Sequence, residues 1–247
     1  MLRSSRIAVG IVAALWLTCG VLHAQTVDEI IATNLKSKGG LEKIRATTSV
    51  RMTGSVVARD MMSGRELTGT MTMVAKRPNL MRRDVDLGGQ RVVNGFDGST
   101  LWMAIGNAPP QQVPSTQNAY SMQDAEFDSV FVDYKEKGQK IELVGKETAD
   151  GTPVYHLKVT KKNGPPQDYY LDVDTGLERK ISVAGRGPDG SQMLNVTEFA
   201  DYRSVDGGMV PFVLKQRQNG TLIATTTVDK VEFNLPIEDA LFRMPAK

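Results

Sequence analysis

The chain has 247 residues, with 30 basic and 28 acidic side chains, two histidines and one cysteine. Arg3 and Arg6 account for the formal charge of +2, so the rest of the chain is neutral, which removes the electrostatic case for nucleic acid or an anionic lipid surface as partner. The length suits one large all-β domain that buries its core without cross-links.

Met1 to Ala24 reads as a secretory signal peptide. Arg3 and Arg6 open it, Ile7 to Leu17 is an apolar stretch too short for a stable span, and Leu22-His23-Ala24 forms the cleavage site. Cleavage before Gln25 removes Cys19 and His23 and leaves His156 as the one histidine. Disulfides, cysteine nucleophiles, thiolate metal sites and multi-histidine metal sites are thereby excluded. Lipid attachment at Cys19 is the alternative, and Trp16 and Thr18 fit that signal badly. The expected location is the periplasm, with residues 25–247 forming a single domain.

Thr26 to Ala46 carries a helical pattern. Thr26 and Glu29 make a capping box, Val27, Ile30, Ile31 and Leu35 share a face, and Gly39-Gly40 breaks the run before Leu41 and Ile44. From Thr48 to Lys76 the period changes to two, with Val50, Met52 and Val56 on one strand and Leu67, Met71 and Met73 on the next. Asp60 to Gly64 is the turn between them. Met81, Val85 and Leu87 alternate with Arg82, Asp84 and Asp86. Gly88-Gly89 leads into Arg91 to Phe96, and Asp97-Gly98 into Leu101 to Ile105. Such alternation predicts antiparallel sheet with one wet face.

Asn107 to Gln117 reads as a proline-containing loop. Ser121 and Asp124 then resemble a helix start, and Phe127, Val130, Phe131 and Tyr134 follow at i, i+3, i+4 and i+7, with Gly138 as the stop. From Lys140 to Phe233 the expected strands are Ile141 to Glu147, Val154 to Lys161, Asp168 to Val173, Leu177 to Val183, Met193 to Tyr202, Met209 to Gln218 and Leu222 to Phe233. Dipeptides such as Asp150-Gly151, Asp206-Gly207 and Asn219-Gly220 supply tight hairpin turns. Ile237 to Phe242 is a short terminal turn. The reading totals about 11–12 strands and a few helices.

Several tempting motifs do not carry chemistry. Gly185 to Gly190 matches GxGxxG, but strands flank it and the phosphate-binding helix is missing. Asp172, Asp174 and Gly176 hint at a calcium loop without the spacing of one. His156 alternates with Val154 and Lys158 on the more polar strand face. No Ser sits in a GxSxG elbow. A hydrolase of envelope glycans or esters would need convergent carboxylates or a Ser–His pair, with His156 the sole histidine base. No catalytic residue, metal or cofactor is expected. Met52, Met61, Met62, Met71, Met73 and Met81 crowd the first strands, and methionine suits surfaces that accept variable apolar ligands, although a loosely packed core gives the same composition.

The layout resembles the LolA/LolB-like fold of periplasmic lipoprotein carriers. The residues that carry the resemblance are Gly39-Gly40-Leu41-Glu42-Lys43-Ile44, Ser49 to Gly54, Asn94 to Trp102, Tyr170 to Leu177, Val210-Pro211-Phe212 and the closing Leu241 to Pro245. The resemblance implies an unclosed antiparallel β-barrel with helices covering its concave face. It also implies a non-enzymatic carrier that binds acyl chains of lipids or lipoproteins for traffic to the outer membrane. A gating arginine is part of the resemblance, and Arg51, Arg82 and Arg83 all lie near the relevant strands. The cavity lining expected on this basis is Val50, Met52, Met71, Met73, Met81, Val85, Leu101 and Met103, with Phe127, Phe131 and Tyr134 on the covering helix. A monomer is expected, with an inner- or outer-membrane protein as a second partner. The alternative is an envelope sensor or scaffold of the same fold that holds a protein partner.

Overall fold

The computed structural model describes residues 25–60, 63–113, 126–162, 164–187 and 190–245. The expected leader with Cys19, the Met61–Met62 pair and the expected helix start at Ser121 and Asp124 lie outside the described residues.

The N-terminal pattern folds as two helices. Thr26 Oγ1 accepts from the Glu29 amide at 3.3 Å, and Glu29 Oε2 accepts from the Thr26 amide at 2.8 Å, so the capping box forms at the head of α1 (Val27–Ser37). Ile30 and Ile31 are its buried face. Gly39 and Gly40, at φ of +103° and +89°, turn the chain into the short α2 (Leu41–Ala46). Among the described residues, no helix is long and apolar enough to cross a membrane.

The strands are β1 (Ser49–Arg59), β2 (Glu66–Lys76), β3 (Leu80–Leu87), β4 (Gln90–Phe96), β5 (Leu101–Ile105) and β6 (Gln111–Gln112). They continue as β7 (Lys140–Ala149), β8 (Thr152–Thr160), β9 (Gln167–Asp172), β10 (Glu178–Arg186), β11 (Gln192–Val205), β12 (Gly208–Gln218) and β13 (Thr221–Phe233). All belong to one antiparallel sheet in the order β6-β5-β4-β3-β2-β1-β13-β12-β11-β10-β9-β8-β7. Every neighbour is sequential except β1 and β13. The sheet is therefore two meanders joined where the first strand pairs with the last. Its edges, β6 and β7, do not meet, so the barrel is unclosed. β6 is the one strand in a stretch read from sequence as loop.

Local chemistry explains the hairpins and the seam. Asp150, Asp206 and Asn219 adopt φ near +48° and each is followed by a glycine also at positive φ, the pairing that tight hairpins need. At the β1–β13 seam the register slips between Thr53 and Gly54. A side chain at Gly54 would collide with the Thr227 carbonyl, so the bulge requires glycine there. A 3₁₀ turn, Asp239–Phe242, closes the chain against the outer face, where the buried Trp102 donates from Nε1 to the Phe242 carbonyl at 2.8 Å.

The expected second amphipathic helix is absent from the described part of its span, residues 126–138. Residues 130–138 form a run of turns, bonded Val132 to Ser129, Lys137 to Asp133 and Gln139 to Tyr134. Asp133 sits at φ +52°, which no continuous helix tolerates. Val130, Phe131 and Val132 are all buried, three in succession, so the apolar spacing there is not that of one helix face. The segment is a strap, and its position, though not its form, is the one expected of the covering helix.

Candidate binding site

Residues opposite one another across antiparallel strands share a face, so the register decides which predicted side chains look the same way. Val50 pairs with Ala75, Met52 with Met73 and Gly54 with Met71. Met71 pairs with Val85 and Ala75 with Met81. Met81 pairs with Phe96, which pairs with Leu101, while Asn94 pairs with Met103. Asn94 also faces Arg83, which faces Met73. Val50, Met52, Met71, Met73, Met81, Val85, Leu101 and Met103 therefore all project from one face of β1–β5.

The same face continues across the seam. Ala58 pairs with Ala224, Ala224 with Gln216, Gln216 with Thr197, Thr197 with Ile181, Ile181 with Tyr169 and Tyr169 with Leu157. Tyr169 and Leu157 pack against Ile30 and Ile31 of α1 and against Val130 and Phe131 of the strap. The expected lining thus lies on the covered side of the sheet, but it divides into separate packing groups. Met71 and Val85 pack with Val56, and Met73 lies against them. Met81 and Leu101 pack with Phe96. Val50 and Met52 lie against Phe212, Val228 and Val231 of the far meander. Phe131 and Tyr134 belong to the α1 group. Val56, Phe96 and Phe212 were missed. Val56 had the right parity, and Phe96 and Phe212 are placed only by register.

The three arginines separate by face. Arg51 pairs with Val74, Val74 with Arg82, Arg82 with Gly95 and Gly95 with Trp102, all on the outer side. There Arg82 bonds Asp84 at 2.7 Å and lies over the Trp102 ring. Arg83 alone of the three shares the face of the methionines.

The strap is held at four points. Lys161 Nζ donates to Glu126 Oε2 at 3.0 Å. Arg77 donates through both terminal nitrogens to Asp128, at 2.5 and 2.6 Å, through Nη2 to the Ile44 carbonyl and through Nε to the Thr47 carbonyl, with its guanidinium 4.7 Å from the Phe127 ring centroid. Arg45 bonds Asp133 at 2.5 Å. Asp28 of α1 accepts from Lys135 at 2.8 Å and from the Tyr134 hydroxyl at 2.7 Å. These two bonds, Lys135 first, hold the Asp28 carboxyl below its usual range, while burial and then Asp28 push the Tyr134 phenol up.

Between the strap and the strand ends lies a cavity of about 600 Å³. Arg77, Pro78 and Asn79 line it from the β2–β3 turn, Lys161 and Lys162 from the end of β8, and Glu126, Phe127, Asp128, Lys137 and Gln139 from the strap. β2 and β8 are separated by six strands in the sheet, so the cavity exists because the sheet curls. Of the expected lining residues, Phe127 alone borders it.

The discounted motifs keep to their structural readings. Gly185 to Gly190 lies at the β10–β11 hairpin, closed by Gly187 to Ser191. Its Pro188-Asp189 pair is outside the described residues. Asp172 Oδ1 accepts from Asp174 N, Thr175 N and Thr175 Oγ1, so that carboxylate shapes its own turn. His156 is clamped between Glu147 at 2.7 Å and Asp168 at 2.9 Å and stacks on Tyr170.

Neither a protein-family model nor a curated protein matches the sequence. The fold is nevertheless shared with solved structures. A DUF1329 family protein from Desulfovibrio piger aligns with a TM-score of 0.60 at 13% identity, over 82% of this chain and 92% of that one. A LolA superfamily protein from Nitrosomonas europaea gives 0.57 at 12% identity, over 89% and 98%. An outer membrane lipoprotein-sorting protein domain from Vibrio parahaemolyticus gives 0.56 at 12% identity, over 86% and 97%. The chain has the LolA-like fold.

Proposed function

We propose that this is a non-catalytic protein of the bacterial envelope that holds an acyl chain of a lipid or lipoprotein against the covered face of its sheet. The observation that carries the reading is the register. Eight side chains from β1, β2, β3 and β5, five of them methionines, project to the side on which α1 and the strap lie. An acyl chain gains about 0.8 kcal/mol for each CH₂ it buries, and flexible methionines accommodate chains of differing shape. The strap supplies a removable cover, since polar bonds at discrete points hold much of it. The shared fold supports the same reading, because two of the similar structures are a LolA superfamily protein and a lipoprotein-sorting domain. Export through the leader would deliver the chain to that compartment.

Native mass spectrometry of protein purified from the periplasm, followed by lipid extraction, tests this. A bound acylated species is the expected result. Lipid-free protein that also fails to take up a fluorescent fatty acid would overturn it, and stable co-purification with an envelope protein would then favour the partner-binding role.

A further inference from the structure

We infer that the cavity between the strap and the strand ends receives an oxyanion, a carboxylate or phosphate carried on the head of the bound amphiphile. The inference rests on the acyl-binding reading above and names the chemistry of the ligand's polar end. Four cations and two carboxylates line the cavity. Both oxygens of Asp128 are engaged by Arg77, and Glu126 Oε2 pairs with Lys161. Lys137 and Lys162 then remain with no ion-pair partner among the described residues, so the described lining carries a net positive charge.

Two further observations point to a ligand. The Lys161 side chain is only 6% exposed, yet Glu126 is its one described partner, which leaves donor capacity on a buried ammonium. Gln139 lines the same cavity, and its Oε1 atom is buried with no hydrogen-bond partner among the described residues. A buried amide left unpaired is costly. Flipped about its last torsion, that amide offers an N–H to an oxyanion. Phe127 and Pro78 give the cavity an apolar wall beside these groups, as an ionic head joined to a chain requires.

The test compares laurate with dodecanol, which share a chain and differ in head charge, on the wild type and on Lys137→Gln/Lys162→Gln. Both substituted residues are exposed, so the double variant should fold. Lys36→Gln/Lys230→Gln removes the same charge outside the cavity lining. The expected result is that the cavity variant binds laurate about tenfold more weakly while dodecanol and the control variant are unchanged. Equal binding of both ligands with no effect of the variant overturns the inference and leaves the acyl reading standing. If neither ligand binds the wild type, the acyl reading fails. Inorganic phosphate then decides: saturable binding lost in the cavity variant supports an oxyanion site for a free anion, and no binding overturns the site as well.

Discussion

Arg77 and Asp128 meet in two parallel hydrogen bonds of 2.5 and 2.6 Å, and the same guanidinium holds the carbonyls of Ile44 and Thr47. A residue at the end of β2 thereby fixes both the end of α2 and the entry to the strap. Both side chains are about a fifth to a quarter exposed, dry enough for the pair to matter and wet enough for it to open.

Replacing Arg77 by Gln removes most of these bonds and leaves Asp128 and two carbonyls short of a donor. The expected cost is about 2 kcal/mol in denaturant unfolding, with amide exchange across 126–139 accelerated and exchange in β8–β12 unchanged. A double-mutant cycle with Asp128→Asn should show strong coupling; additive effects would mean that the strap is held elsewhere.

Met73→Lys places a charge among Met71, Val56 and Val85. The variant should lose about 2 kcal/mol or more of stability, or fold while losing uptake of a fluorescent fatty acid. Unchanged stability and uptake would show that this face neither packs nor binds.

The Asp28 contacts make the far end of the strap acid-sensitive. The folded carboxyl lies below its unfolded value, so its contribution is complete above the unfolded carboxylate range and fades as pH falls through the depressed folded one. Protection of the amides of residues 134–138, taken relative to their intrinsic exchange at each pH, should fall below about pH 4 in the wild type. Asp28→Asn should show the reduced protection already at neutral pH, with no further loss as pH falls.

Gly95 lies directly beneath the Trp102 indole, and an added Cβ would overlap the ring. Gly95→Ala should therefore cost about 1–3 kcal/mol and shift Trp102 emission as the ring leaves its buried site, freeing the Phe242 carbonyl it holds. Thermal unfolding followed by fluorescence reads both effects.

Much of this architecture is encoded locally. Thr26 and Glu29 announce α1 because a capping box needs only residues three apart. Asp150-Gly151, Asp206-Gly207 and Asn219-Gly220 announce their hairpins because positive φ is a property of the residues themselves. The alternation in β1, β2 and β3 fixed which side chains share a face within each strand.

What sequence alone settled is therefore what depends on near neighbours: strand periodicity, turn chemistry and the first helix. The tertiary structure decided the rest. Pairing of β1 with β13 joins residues far apart in the chain, and the curl of the sheet brings Arg77 and Lys161 to one cavity across six intervening strands. The strap shows the boundary most clearly. Phe127, Val130, Phe131 and Tyr134 have helical spacing, yet burial against α1 and β8–β9, anchoring by Arg77, Arg45 and Asp28, and the left-handed backbone at Asp133 outweigh that local preference.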